Sequence, residues 1–552
     1  MISRRKFLRN SAISAGVFSF TRDLAAVPAA DSDIDSRIEI LLEQPLGTIS
    51  PNIYGHFAEH LGGVIYDGIW VGRNSKVPNV DGIRKDLVDH MRKIKAPVVR
   101  YPGGCFADSY DWRDGIGPVD KRPRRSNFWS DIESPSSPSS HKYEPNEFGT
   151  NEFIHFCKLL GSQPYLAANV RSLPAEEFYR WVEYCNAPSG STTLAETRGA
   201  AGYSEPFHVR FWGVGNESWG CGGNFTPQDY AVEFRRFTTW VPRFGEELAF
   251  IASGPNDDNW EWTRGFLEEI VRKSPRQLRE MYGLALHYYT WNLSRGRTRD
   301  WNEGKGDALK FDLVDWYELL RDAEVMDSLI KGHWQIMGEF DHEHHVKLVI
   351  DEWGPWYRPG SEATPGDILE QMPTLRDAVF SAMTLDIFHQ HPEKIAMANC
   401  AQLINCLNSL YLAHEDKFCI TPVGHVFDMY SAHQGGQSLR TIFSTPKINY
   451  ERDGRPASFW GLKGSASVRD KALVLTVVNP SVSEPRVAAI NVRGATISSG
   501  TVTVLTHSDI HAHNSFEERD AVRPQTQPLE MSGGTVTDSF RPASVTKIVL
   551  NL

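Results

Sequence analysis

Two glutamates offer chemistry in this sequence. The stretch Phe211-Trp-Gly-Val-Gly-Asn-Glu-Ser-Trp219 continues an apolar run from Val209 to Val214, breaks at Gly215 and presents Asn216 and Glu217 in succession. A second run, Leu348-Val-Ile-Asp-Glu352-Trp-Gly354, also meets a carboxylate at its end. An apolar strand that closes on a carboxylate is what a β/α-barrel sets at its catalytic face. Two such acids on two strands are the equipment for cleaving a glycosidic bond with retention. One protonates the leaving oxygen while the other attacks the anomeric carbon, the two standing about 5 Å apart. Glu217 is the expected acid/base, because Asn216 beside it can donate to a sugar hydroxyl and Trp219 gives it an apolar neighbour. Glu352 becomes the nucleophile mainly by elimination. Trp219 and Trp356 supply flat faces for sugar rings. Either glutamate alone is equally well the first polar residue of a loop; the Asn-Glu pair and the tryptophans favour the catalytic reading.

Holding two strand ends face to face requires alternating strands and helices. Strand patterns fall at Asn52–Phe57, Val98–Tyr101, Tyr165–Val170, Val209–Val214, Leu248–Ser253, Leu284–Tyr289, Leu348–Asp351 and Ile395–Leu403, separated mostly by helix-length segments. Ile83, Leu87, Val88, Met91 and Ile94 share one helical face before Pro97, and Thr374–His391 is another such segment. Eight units of this kind predict an α/β fold, a (β/α)8 TIM barrel, over residues 51–432. No GxGxxG or P-loop follows any strand, which removes the main support for an open nucleotide-binding sheet. From about Gln434 helical periodicity gives way to short β-rich runs divided by Gly, Pro, Ser and Asn. Residues 433–552 therefore read as a C-terminal antiparallel, jelly-roll-like β-sandwich, and the strand pattern within residues 31–50 is expected to pair into it.

The composition fits such an enzyme. The chain has 552 residues, is 41% apolar and carries a formal charge of -11, so it can bury a large core and nothing in it suggests a nucleic-acid partner. Seven cysteines without a CxxC pair read as small buried residues, not as a disulfide framework or a zinc site. Asp341-His-Glu-His-His345 reads as a solvated segment before a strand, with no metal expected. Residues 1–30 resemble a targeting segment. Ser3-Arg4-Arg5-Lys6-Phe7-Leu8 is a twin-arginine pattern, an apolar stretch follows to Phe20, and Val27-Pro-Ala29 offers small residues for cleavage. That predicts export to the periplasm or outside the cell, with no membrane span. Lys121–Ser140, basic and then rich in Ser and Pro, reads as a long loop near the barrel mouth, either a lid or a solvated insertion.

Gly55-His-Phe-Ala-Glu59-His-Leu-Gly, Arg100-Tyr-Pro-Gly-Gly-Cys-Phe-Ala107, Trp212-Gly-Val-Gly-Asn-Glu217, His287-Tyr-Tyr289 and Asp351-Glu-Trp353, in this order, resemble the α-L-arabinofuranosidases of glycoside hydrolase family 51. The resemblance runs from about Arg37 to the C-terminus. It implies release of terminal arabinofuranose from an arabinose-containing oligosaccharide or polysaccharide without metal or cofactor, and a homo-oligomer, commonly a hexamer. It implies that Glu217 and Glu352 are acid/base and nucleophile, and that Glu59 and Asn216 bind sugar hydroxyls. By the same likeness the Cys105 backbone faces the sugar, Tyr289 contacts the nucleophile, Gln402 closes the site, and Trp219 and Trp356 wall the leaving-group side. The Arg122–His141 loop and Arg171-Ser-Leu173 depart from the family pattern where loops shape the leaving-group side. A related barrel glycosidase acting on β-xylosides or β-glucans uses the same carboxylate pair and stays as the rival enzyme reading. A carbohydrate-binding protein on a disused barrel is disfavoured by the presence of both acids.

Overall fold

The apolar runs close into a cylinder. A computed structural model describes residues 34–131, 143–294, 296–301, 303–360, 367–529, 531–532 and 535–552. Its first strand, β1 (Ser36–Thr48), is followed by eight barrel strands: β2 (Gly55–Phe57), β3 (Val98–Tyr101), β4 (Gln163–Ala168), β5 (Phe211–Val214), β6 (Ala249–Ala252), β7 (Met281–Thr290), β8 (Lys347–Pro355) and β9 (Ile395–Cys400). They form a closed parallel barrel in the order β6-β7-β8-β9-β2-β3-β4-β5. Side chains alternate along each strand, so one set fills the cylinder and the other meets the helices. Val98, Tyr165, Phe211, Ala249, Ile251, Ala285, Val349 and Met397 make the inner plug. Trp212, next to Phe211, turns outward onto Phe178 and Trp181.

One irregularity matters for the site. Opposite β7, Leu286 pairs with Ile350 but His287 pairs with Glu352, so Asp351 is an extra residue in β8. In a regular strand Asp351 and Glu352 would face opposite sides; the bulge lets both acids turn to the same arginine, Arg100 on β3.

The C-terminal region is a ten-stranded sheet: β10 (Gln437–Ser444), β11 (Lys463–Arg469), β12 (Ala472–Asn479), β13 (Arg486–Arg493), β14 (Ser499–Thr506), β15 (Gln525–Pro528), β16 (Met531–Ser532), β17 (Thr535–Phe540) and β18 (Ser544–Asn551), with β1 as its tenth member. The order is β15-β14-β18-β12-β11-β10-β1-β13-β17-β16. Strands from both arms of that order contribute to one core, with Ile38 and Ile40 packed among Leu473, Ile490, Val502, Val536 and Ile548. The sheet is not wholly antiparallel as expected: β1 runs antiparallel to β10 but parallel to β13. A strand arriving from the N-terminal side of the barrel is free of the hairpin connections that force its neighbours to alternate.

Helix Leu375–His389 is buried over its whole length. It meets the sheet through Asp386, whose Oδ1 accepts from Ser465 Oγ at 2.6 Å and Thr476 Oγ1 at 2.7 Å. Among the described residues no helix is long and apolar enough to cross a membrane.

Candidate active site

The site gathers at the C-terminal ends of the barrel strands. Glu217 lies three residues beyond β5, after Gly215 at φ +81°, and itself takes a left-handed backbone at φ +39°. Val214 ends the strand, and this turn swings Asn216 and Glu217 over the barrel mouth. The turn is held from below by Asp108, whose Oδ2 accepts the Asn216 N–H at 2.9 Å and whose Oδ1 accepts Val170 N–H at 2.8 Å. Gly222 lets the returning chain touch the turn, since a Cβ there would lie 1.7 Å from the Asn216 carbonyl oxygen.

The two glutamates face each other. An oxygen of Glu217, Nδ1 of His287 and an oxygen of Glu352 all lie within 4.8 Å of one another. That separation is the one direct displacement needs, and it is too small to seat a water between two acids as an inverting enzyme does (about 6.5–9.5 Å). His287 Nδ1 sits 3.0 Å from Glu217 Oε1 and 3.6 Å from Glu352 Oε2. Glu352 is further held by Arg100 Nη1 at 2.8 Å on one oxygen and by the Tyr289 hydroxyl at 2.8 Å on the other. Arg100 also donates to Asn216 Oδ1 at 2.5 Å and lies 3.2 Å from Asp351. Asp351 in turn accepts from Tyr165 and Asn399, so a single buried guanidinium ties β3, β5 and β8 together.

The environments of the acids differ. The Glu352 side chain is 6% exposed and that of Glu217 is 18% exposed. Burial would raise the Glu352 carboxyl, yet His287, Arg100 and Tyr289 outweigh it and hold Glu352 below the usual carboxylate range. It is thus kept ionised, as an attacking group must be. Burial opposes the charged form of His287 as well, here the protonated one, but the charges of Glu352 and Glu217 raise it above the ordinary imidazole range. Glu59 behaves differently: burial, with some help from the Glu352 charge, pushes it up to about 8 against the pull of the Phe106 N–H.

Of the residues marked in the sequence, Cys105, Asn216, Tyr289, Glu217 and Glu352 form one network, bridged by His287 and Arg100, and Glu59 and Gln402 pair with each other. Gln402 Nε2 donates to Glu59 Oε2 at 3.1 Å, and Gln402 Oε1 accepts the Glu59 N–H at 3.1 Å. Glu59 Oε1 accepts the Phe106 N–H at 3.0 Å. Side chains on Gly103 or Gly104 would strike Glu59 at about 3 Å, which explains the glycine pair. Trp356 packs edge-on against Tyr289 at 5.0 Å. Trp219 is half-buried two residues past Glu217 and packs against the main core.

Three contributors were missed. His287 and Arg100 lay inside quoted motifs, but neither spacing nor type told that His287 would bridge the two glutamates or that Arg100 would hold Glu352, Asp351 and Asn216. Trp129, in the segment read as a lid or a solvated insertion, donates to Glu59 at 3.2 Å. From residue 132 on, that segment lies outside the described residues.

One expectation is corrected outright. Cys105 and Cys221 form a disulfide, with Cα atoms 5.6 Å apart across a separation of 116 residues. They sit on loops after β3 and β5, and only the closing of the barrel brings those loops together; sequence spacing carries no such signal. Cys157, Cys185, Cys400, Cys406 and Cys419 are free and buried. Two groups at this site have metal-ligating character, Glu217-His287-Glu352 and Cys105-Glu217-Cys221. In the first, hydrogen bonds and ion pairs already account for every contact.

The fold and the facing carboxylates define a barrel glycosidase of the retaining kind. An α-L-arabinofuranosidase 1 domain matches residues 90–305, and an α-L-arabinofuranosidase C-terminal domain matches residues 351–544. The chain is 34% identical to an intracellular exo-α-L-arabinofuranosidase of Bacteroides ovatus, over 96% of this chain and 98% of that protein. It is 26% identical to an intracellular exo-α-(1→5)-L-arabinofuranosidase of Bacillus subtilis (strain 168), over 92% of this chain and 97% of the other. The crystal structure of the family 51 arabinofuranosidase from Xanthomonas axonopodis pv. citri matches with a TM-score of 0.85 at 36% identity, covering 94% of this chain and 100% of that one. The chain belongs to glycoside hydrolase family 51, the α-L-arabinofuranosidases.

The same relatives overturn the expectation of export. Both curated proteins are named intracellular, so the twin-arginine pattern does not support a periplasmic or secreted enzyme. A pair of arginines before a modest apolar stretch is a short signal that chance can supply, and residues 1–33 lie outside the described residues.

Proposed function

We propose that this enzyme removes terminal non-reducing α-L-arabinofuranosyl residues from arabinoxylan, arabinan or their oligosaccharides by double displacement, with Glu352 as nucleophile and Glu217 as acid/base. The observation that carries the assignment is the approach of the two carboxylates to within 4.8 Å. Glu352, ionised and aimed by Arg100 and Tyr289, attacks the anomeric carbon. Glu217, the more exposed acid, gives its proton to the leaving oxygen and then takes one from the water that releases the sugar. Glu59, Asn216, Gln402 and the Cys105 backbone bind the furanose, while Trp219 and Trp356 flank the leaving group. The names of the Bacteroides and Bacillus relatives support the exo mode and the sugar.

The residue divisions that go with this reading are a catalytic barrel over 51–432 and a sheet domain over 433–552 that takes in 31–50. A hexamer is proposed by family likeness, and light scattering on the purified protein checks it.

Two measurements test the roles. A 2-fluoro-type or aziridine inactivator is expected to attach to Glu352, and mass spectrometry locating the label on another residue removes it as nucleophile. Glu217→Ala should lower turnover about 10²–10⁴-fold on natural oligosaccharides, and less on 4-nitrophenyl arabinofuranoside, whose leaving group needs little protonation. Faster cleavage of the corresponding xyloside or glucoside would move the enzyme to the rival substrate class.

A further inference from the structure

The sulfurs beside Glu217 take no part in the double displacement. Cys105 opens the helical turn Cys105–Ser109, and Cys221 lies four residues past Glu217 in the loop after β5. Cys221 Sγ is 3.6 Å and Cys105 Sγ 3.8 Å from Glu217 Oε2. The amide of Asn216 also points at Cys221 Sγ, at 3.7 Å. Both cysteines are half-buried, as is Glu217, whereas the five free cysteines are buried. The pair is therefore the one open to a reductant from the substrate side.

Oxidised, the sulfurs are weak ligands and simply wall one side of the acid. Reduction turns the two sulfurs, which as a disulfide lie with one Glu217 oxygen within 4.8 Å of one another, into thiols whose thiolate forms add two soft donors to that one hard one. Such a set takes zinc or cadmium, with water completing the tetrahedron. We propose that reduced Cys105 and Cys221, together with Glu217, form a binding site for a soft divalent cation, and that its occupancy switches the enzyme off. The inference rests on the acid/base role given to Glu217: a carboxylate bound to a cation can neither deliver nor accept the proton of the reaction. The chemistry balances with a phosphine as reductant. It attacks one sulfur, the S–S bond breaks, water supplies the oxygen of the phosphine oxide and the two protons of the thiols, and those protons leave again when the cation binds.

The test uses the full chain, untreated or reduced with a phosphine that is then removed, and titrated with zinc chloride or cadmium chloride. Equimolar zinc should lower the rate of the reduced enzyme more than tenfold, with recovery on adding EDTA, and leave the untreated enzyme unchanged. Cadmium should raise the ultraviolet charge-transfer absorption of a cadmium–thiolate bond in the reduced enzyme alone. Reduced Cys221→Ser, referred to its own metal-free rate, should need at least ten times more zinc for the same loss. Equal inhibition of both redox forms, or no thiolate absorption after reduction, overturns the proposal. Thiolate absorption with an undiminished rate keeps the metal site and removes Glu217 as acid/base instead.

Discussion

At the residue scale the site works through a shared histidine. His287 stands between two carboxylates, and its positive charge favours the ionised form of Glu352. Replacing it with asparagine removes that charge, so the Glu352 carboxyl gives up its proton only at higher pH. The acidic limb of the kcat/KM profile is then expected to move to higher pH, with kcat down by about 10–10²-fold. An unmoved limb, measured with a nitrophenyl arabinofuranoside, would show that His287 only orients Glu217. The residues visible in the sequence by type alone were Glu217, Glu352 and Asn216; Glu59 came with the family resemblance. His287 and Arg100 stayed hidden because their roles depend on what they touch.

At the scale of elements, the loops after the strands carry the site and must be held in place. Asp108 does this from the turn after β3. It accepts backbone N–H groups from Val170 and Arg171 after β4 and from Asn216 after β5. Arg171 reinforces it by donating to the carbonyls of Asp108 and Cys221. Asp108→Ala leaves three backbone donors without their acceptor and should cost about 2–4 kcal/mol in urea unfolding. It should also lower kcat at least tenfold, since Glu217 rides on the freed turn. A loss of stability with full kcat would mean the turn holds its shape unaided. The strands themselves were legible because short apolar runs leave a mark on composition. The β8 bulge at Asp351 was not, for it shows only when β7 is laid beside it.

For the whole molecule the question is how barrel and sheet stay joined. Asp386 is buried where helix Leu375–His389 meets β11 and β12, and burial pushes it up to about 7 despite donors from Ser465, Thr476 and Tyr430. An unfolded aspartate gives up its proton near pH 4, whereas this one holds it to about 7. The stability this group contributes is complete below about pH 4 and is lost as pH rises to about 7, where the fold must carry a buried charge. Asp386→Asn removes that term. Its Tm relative to the parent should therefore rise between pH 5 and pH 8, by about 1–3 °C in calorimetry. A difference that stays flat over this range would show that Asp386 is already ionised in the fold.

The sequence by itself determined the class of chemistry, because acids at the ends of apolar strands and a turn made of Gly215, Asn216 and Glu217 are local facts of side-chain type and backbone freedom. It also determined the alternation that makes a barrel and the change to β-rich runs after about Gln434. Only the tertiary structure decided which groups meet. The closing of the barrel set Glu352 within reach of Glu217, put His287 between them, brought Cys105 to Cys221 across 116 residues, and slid β1 in parallel beside β13. Those pairings are products of strand order and of one extra residue in β8, and neither leaves a trace in the types of the residues it joins.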